Sequence, residues 1–193
     1  MDTAFLSSYP ALDNDQGLLA KLQALKLVVF DVDGVLTDGH LLYTEQGETI
    51  KRFNVKDGVA MKLLPKWGVR VAVITAKDSA PLRQRMKELK VAHFYPGCHN
   101  KAAAFNALIA QLGITSAEAA YVGDDVIDLQ VMPNVGVALC PADAHIVVQR
   151  YCSIVLTKEA GEGVAREVAD MVLASRMSLE HAYELAQKPE FEK

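Results

Sequence analysis

The run Leu27-Val28-Val29-Phe30 carries no polar residue, and it leads straight into Asp31-Val32-Asp33-Gly34. A strand with one face in water alternates apolar and polar positions. One that is apolar throughout is covered on both faces, as in a parallel sheet flanked by helices. Extended to Asp31, this strand spans 27–31, and five more short runs share its character, at 69–75, 93–95, 119–122, 135–138 and 153–156. Helical patterns fall among them at 59–67, 80–89, 101–112, 125–132, 144–150 and 163–175. Such alternation predicts an α/β fold, a Rossmann-like doubly wound parallel sheet.

One segment breaks the rhythm. Residues 40–53 read as two strands around Gln46-Gly47, a β-hairpin that directly follows the aspartate pair. Its position makes it a flap beside any site the aspartates form. The stretch 18–25 reads as a helix packed on the body, and 186–193 as a loose polar tail. With 193 residues, the chain is sized for a single domain over 1–193, with a core at 26–175, the flap at 40–53 and a C-terminal tail at 176–193.

The formal net charge is −4 and no basic stripe is present, so neither nucleic acid nor an anionic membrane surface is an expected partner. An anionic ligand must then be met by individually placed cations. Cys98, Cys140 and Cys152 form no CxxC pair, which points to a reducing, cytoplasmic setting. Cys98-His99 lacks the second Cys/His pair that a zinc site needs. His93, His145 and Trp67 are expected in packing or surface roles. Residues 1–10 lack the basic-then-apolar order of a signal peptide, and no apolar run approaches the roughly 20 residues that cross a bilayer.

In an open α/β sheet, ligands bind outside the carboxyl ends of the strands. Asp31 and Asp33 stand at the end of the first strand, and Gly34 lets the backbone turn close to a ligand. The second strand ends at Thr75. The strand 119–122 runs into Gly123-Asp124-Asp125-Val126-Ile127-Asp128, and Lys101 opens a helix between them. If these strands are neighbours, Asp31, Asp33, Thr75, Lys101 and Asp124 converge on one crevice. Three carboxylates there repel one another, by about 4 kcal/mol per pair at 4 Å and an effective dielectric of 20. A hard divalent cation relieves the repulsion, and Mg²⁺ suits carboxylates together with a substrate phosphate. One aspartate can then attack phosphorus and a second can shuttle the proton, while Thr75 and Lys101 steady the phosphoryl oxygens.

The order DVDGV, a strand ending in Thr, a lysine and GDDxxD resembles the haloacid dehalogenase (HAD) superfamily, whose phosphatases use Mg²⁺ and an aspartyl-phosphate intermediate. The resemblance implies Asp31 as nucleophile and Asp33 as general acid and base. It makes the Asp31 side chain, the Asp33 carbonyl and Asp124 the Mg²⁺ ligands, and gives Thr75 and Lys101 the phosphoryl group. Asp125 and Asp128 would orient the site from outside the ligand set. "DVDGVLTDG", "FNVKDGVAMK", "NKAAAFNAL", "AYVGDDVIDLQVM", "PADAH" and "GVAREV" are similar to the 3-deoxy-D-manno-octulosonate 8-phosphate (Kdo 8-phosphate) phosphatases. These are capless HAD enzymes that make a bacterial lipopolysaccharide sugar, and they form tetramers in which a neighbour's hairpin and tail help close the site. That resemblance implies a homotetramer and a pocket for the sugar phosphate lined by Asn54, Val55, Lys56, Asp57 and Gly58, with Lys62, Lys77 and Arg85 as cationic contacts. Arg166 recurs in the family without an assignable role.

Three positions depart from the family pattern. Ala76-Lys77 stands where Gly-Arg is usual, Lys62 where Arg is frequent, and Glu162 where the Gly-rich stretch commonly carries Arg. Lysine keeps the charge but loses the planar fork that grips a carboxylate. A related acid sugar phosphate, such as a nonulosonate 9-phosphate, is therefore the rival substrate. A silent HAD-like tetramerisation module is the rival from another class, and the complete acid set argues against it. A phosphorylation-controlled receiver is disfavoured because Asp33 would hydrolyse the signal.

Overall fold

A computed structural model describes residues 1–13 and 16–192. The strands are β1 Leu27–Phe30, β2 Leu42–Thr44, β3 Gly47–Ile50, β4 Arg70–Ile74, β5 His93–Tyr95, β6 Ala119–Val122, β7 Val137–Cys140 and β8 Ile154–Val155. The helices are α1 Thr3–Leu6, α2 Pro10–Asp13, α3 Gln16–Ala24, α4 Val55–Lys66, α5 Ala80–Glu88, α6 Lys101–Leu112, α7 Ile146–Gln149, α8 Val164–Ala174 and α9 Leu179–Tyr183.

Six strands form one parallel sheet in the order β5-β4-β1-β6-β7-β8. Phe30 pairs with Val73 on one side and Val122 on the other. The chain winds outward from β1 through β4 and β5, then returns to lay β6 against β1's other edge. The strand order reverses there, which is where open sheets of this kind place their ligands. β1 is buried at all four positions, and its side chains alternate between two cores. Val28 and Phe30 join the core formed with α3, α4, α5 and α8. Leu27 and Val29 join the core formed with α6 and α7. Between β1 and α4, among the described residues, the chain inserts only the β2–β3 hairpin.

Several expected elements shift. The helix expected at 125–132 is a 3₁₀ turn, Val126–Gln130, followed by another at Met132–Asn134. Asp125 and Asp128 form a capping box that ties the first turn to its own entry, and Pro133 cannot donate into a continuing helix. The strand expected at 135–138 begins at Val137, because the Gly136 N–H is taken by the carbonyls of Ser116 and Ala119. The helix expected from 59 begins at Val55, where the Asn54 side chain caps it by accepting from the Lys56 N–H. The segment expected as a loose tail instead folds into 3₁₀ turns at Glu184–Gln187 and Pro189–Glu192, with Phe191 buried. Just before it, Trp67 Nε1 donates to the Ala182 carbonyl at 3.0 Å. Lys193 lies outside the described residues.

Candidate active site

Asp31, Asp33, Thr75, Lys77, Lys101, Asp124 and Asp125 share the lining of one cavity of about 300 Å³ at the carboxyl ends of β1, β4 and β6. Two close backbone approaches make the arrangement possible. Gly34 has φ +85°, and a Cβ there would stand 2.0 Å from Asp124 Oδ2. A Cβ at Gly123 would stand 2.4 Å from Asp128 Cγ. Only glycine allows the two acidic loops to lie this close.

Lys101 is the hub. It opens α6, where Asn100 caps the helix by accepting from the Ala103 N–H, and its own N–H donates to Gln130 Oε1 at 3.0 Å. Its side chain is fully buried, with Nζ 2.9 Å from Asp31 Oδ2 and 2.7 Å from Asp128 Oδ1. Burial pulls the ammonium's pKa down, but the two carboxylates outweigh it and the net shift is upward. Lys101 therefore stays charged and holds one oxygen of Asp31 in place.

Asp128 is saturated. Its Oδ1 accepts from Lys101 Nζ and, at 2.8 Å, from the Tyr121 hydroxyl. Its Oδ2 accepts from the Asp124 N–H at 3.0 Å and the Asp125 N–H at 3.3 Å. Asp125 itself is exposed, and its Oδ1 accepts from the Val126 N–H. Asp128 holds the loop rather than offering a free ligand atom, and Asp125 braces the same loop through Oδ1.

Asp31 and Asp124 differ from Asp128. Asp31 Oδ1 and Asp124 Oδ1 are buried and have no hydrogen-bond partner. Burial first, and then the Asp128 charge, push the Asp31 carboxyl up to about 6 against the pull of Lys101. Burial and the charges of Asp128, Asp31 and Asp125 push Asp124 up to about 8. Oxygens of Asp31, Asp124 and Asp128 lie within 4.8 Å of one another. Because Asp128 is occupied, Asp31 and Asp124 are the pair left to hold a cation. An all-oxygen, hard donor set with two bare carboxylate oxygens fits Mg²⁺, and a divalent charge there would reverse the upward shifts.

The expected pocket residues divide. Lys77 lines the aspartate cavity, with its Nζ 5.8 Å from the centre of the Tyr43 ring. Asn54, Asp57, Gly58 and Arg85 gather beside one another behind Phe53. There, an Arg85 guanidinium nitrogen lies 3.4 Å from the Asn54 carbonyl, and Asp57 Oδ1 accepts from the Arg166 N–H at 2.9 Å. Lys62 lines another groove, with Lys66, Arg70 and Phe191. Lys56 lines a third, with Tyr9 and Arg166, and Val55 is 74% exposed. None of these seven lines the aspartate cavity within one chain. Reading the sequence misses Tyr121 and Gln130, which brace Asp128 and Lys101, because their bonds cross between elements. It also misses Lys51, whose Nζ contacts Asp33 Oδ1. No period or motif marks that lysine.

A family model for haloacid dehalogenase-like hydrolases matches residues 87–168. The chain is also 41% identical, over 81% of its length and 87% of the relative's, to the 3-deoxy-D-manno-octulosonate 8-phosphate phosphatase KdsC of Haemophilus influenzae. The chain belongs to the Kdo 8-phosphate phosphatase family. A solved family member from Yersinia pestis superposes with a TM-score of 0.82 at 35% identity, covering 85% of this chain and 89% of that one. The family member from Moraxella catarrhalis was solved in complex with magnesium ion, phosphate ion and KDO. It superposes with a TM-score of 0.79 at 33% identity, covering 82% of this chain and 91% of that one.

Proposed function

We propose that this chain is a phosphomonoesterase that hydrolyses Kdo 8-phosphate to Kdo and phosphate in lipopolysaccharide precursor synthesis. The observation that carries the reading is the pair of bare, buried carboxylate oxygens on Asp31 and Asp124, beside a fully buried Lys101. Family membership supplies the substrate class. When bound by Asp31, the Asp33 carbonyl and Asp124, Mg²⁺ offsets the negative charge of the carboxylates and of the arriving phosphate.

Asp31 is the nucleophile. Lys101 holds its carboxylate in place through Oδ2. Asp33 gives a proton to the leaving sugar oxygen, then takes one from the water that cleaves the aspartyl-phosphate. Thr75 and the charge of Lys101 steady the phosphoryl oxygens. Lys77, on the cavity wall, meets the substrate carboxylate as a point charge rather than a fork.

The reading extends to a homotetramer. Leu41, Leu42, Tyr43 and Ile50 on the hairpin and Val55 at the start of α4 are exposed apolar residues, a surface that neighbouring copies would cover. None of the described helices is long and apolar enough to cross a membrane. The three cysteines are free thiols, which supports a reducing, cytoplasmic setting.

The test is phosphate release from Kdo 8-phosphate, with and without Mg²⁺, beside nonulosonate 9-phosphate and plain sugar phosphates. The expected result is Mg²⁺-dependent turnover with at least about tenfold higher kcat/KM on Kdo 8-phosphate. Preference for the nine-carbon acid would move the substrate assignment. Absence of turnover on every ester would reduce the chain to an assembly module.

A further inference from the structure

Lys51 stands out within the hairpin. Its neighbour Ile50 is exposed, as are Leu42 and Tyr43 on the opposite strand, yet the Lys51 side chain is 1% exposed. A buried ammonium is unfavourable unless it is paired. Lys51 has two partners, one inside the flap and one outside. Its Nζ lies 2.6 Å from Glu48 Oε1, whose side chain is itself largely buried, and it contacts Asp33 Oδ1. Lys51 does not line the aspartate cavity; it reaches Asp33 from the flap side. The Thr37 hydroxyl lies 3.4 Å from the same Oδ1. Both contacts fall on one oxygen, and among the described residues Asp33 Oδ2 keeps no protein partner.

The geometry points to Lys51, braced by Glu48, as the positioning residue for Asp33. By engaging Oδ1 with a cation, Lys51 leaves Oδ2 as the oxygen that carries the transferable proton, and it couples the flap to proton transfer. This inference rests on the reading of Asp33 as acid and base given above. In the first step, an Asp31 oxygen bonds to phosphorus, the bond from phosphorus to the sugar oxygen breaks, and the proton on Asp33 Oδ2 passes to that oxygen. In the second, water bonds to phosphorus, gives a proton to Asp33 Oδ2, and the bond from phosphorus to Asp31 breaks. Both steps use the oxygen that Lys51 leaves free. Without Lys51 the carboxyl group can rotate and place its proton on either oxygen.

The experiment compares two esters in the Mg²⁺-loaded enzyme. An alkyl sugar phosphate needs its leaving oxygen protonated; p-nitrophenyl phosphate does not. Lys51→Met is expected to lower kcat/KM on the sugar phosphate about 100-fold and on the aryl ester less than about fivefold. It is also expected to release nitrophenolate in a burst of about one per site, because hydrolysis of the aspartyl-phosphate still needs the base. Glu48→Gln shifts both in the same direction by less. Lys51→Arg, which keeps the cation, restores most of the sugar phosphate activity and separates positioning from loss of fold. Equal losses on the two esters, or no loss on either, would overturn the inference. Asp33→Asn in the same assays separates the two readings. If it shows the leaving-group dependence and Lys51→Met does not, only the role of Lys51 fails. If Asp33→Asn shows none, the acid assignment fails and the inference falls with it.

Discussion

The molecule buries carboxylates in two regions and treats them in opposite ways. Near the N-terminal helices, Glu167 on α8 faces a groove of about 590 Å³, larger than the aspartate cavity. Its Oε1 accepts from the Tyr9 hydroxyl at 2.7 Å and the Thr157 N–H at 2.8 Å, and its Oε2 accepts from the Lys158 N–H at 2.9 Å. Both oxygens are satisfied, so this acid joins three segments. At the ends of β1 and β6, Asp31 and Asp124 each keep a bare oxygen in a smaller space. Cavity size therefore does not track which acids keep a bare oxygen. A buried oxygen without a donor costs free energy that a bound cation or proton can recover.

The largest expected effect lies on the bare side of this contrast. Asp31→Asn should lower kcat by on the order of 10⁴ or more while leaving the circular dichroism spectrum unchanged; residual turnover near wild type would remove Asp31 as nucleophile. Asp124→Asn should weaken Mg²⁺ binding, measured by calorimetric titration, by at least about 100-fold, more than loss of a partner outside the ligand set. Without metal its melting midpoint should not fall, because the carboxylate it loses is one that burial and neighbouring charges disfavour.

On the satisfied side, Glu167→Ala strands a hydroxyl and two N–H groups. A loss of about 3 kcal/mol follows, read as a melting midpoint lower by about 10 °C for a chain of this size. Its kcat/KM at a permissive temperature should stay within about twofold. A large loss of activity with little loss of stability would reverse the contrast.

Asp57 lies between the two cases, with Oδ1 accepting from the Arg166 N–H and Oδ2 bare. Burial pushes its carboxyl up to about 6, against the hydrogen bonds from the Arg166 and Ala165 N–H groups. An acid raised above its unfolded value near 4 binds more protons folded than unfolded, so its contribution to stability falls as pH rises from about 4 to about 6. Asp57→Asn keeps an acceptor for Arg166 and removes that dependence. Relative to wild type, its urea-unfolding free energy should gain up to about 3 kcal/mol between pH 4 and 7. A constant difference across that range would show that Asp57 is not held in its proton-bound form.

What could be read before folding follows the same division. The strand periods and the strand-end rule bring Asp31, Thr75, Lys101 and Asp124 together, because each depends on a local pattern and one topological rule. The rest depends on contacts between elements. Asp128 is recognisable as an acid of the GDDxxD run, but its saturation depends on Tyr121 inside β6 and on Lys101 from α6. The capping box of Asp125 and Asp128 displaces a helix that composition alone favours. Phe191 gives a polar terminus a buried anchor. Lys51 looks like any surface lysine until the hairpin folds it onto Asp33.

The sheet's outline has a consequence for how copies of this chain can meet. Its central strands are four or five residues long, but the two outermost, β5 and β8, have three and two. Exposed strand borders are templates on which a second chain can add its own backbone, and short ones offer little to add to. The sheet thus closes itself to growth at both ends. Any contact between copies would then have to be made by side chains, such as the exposed apolar ones of the hairpin, rather than by added strands.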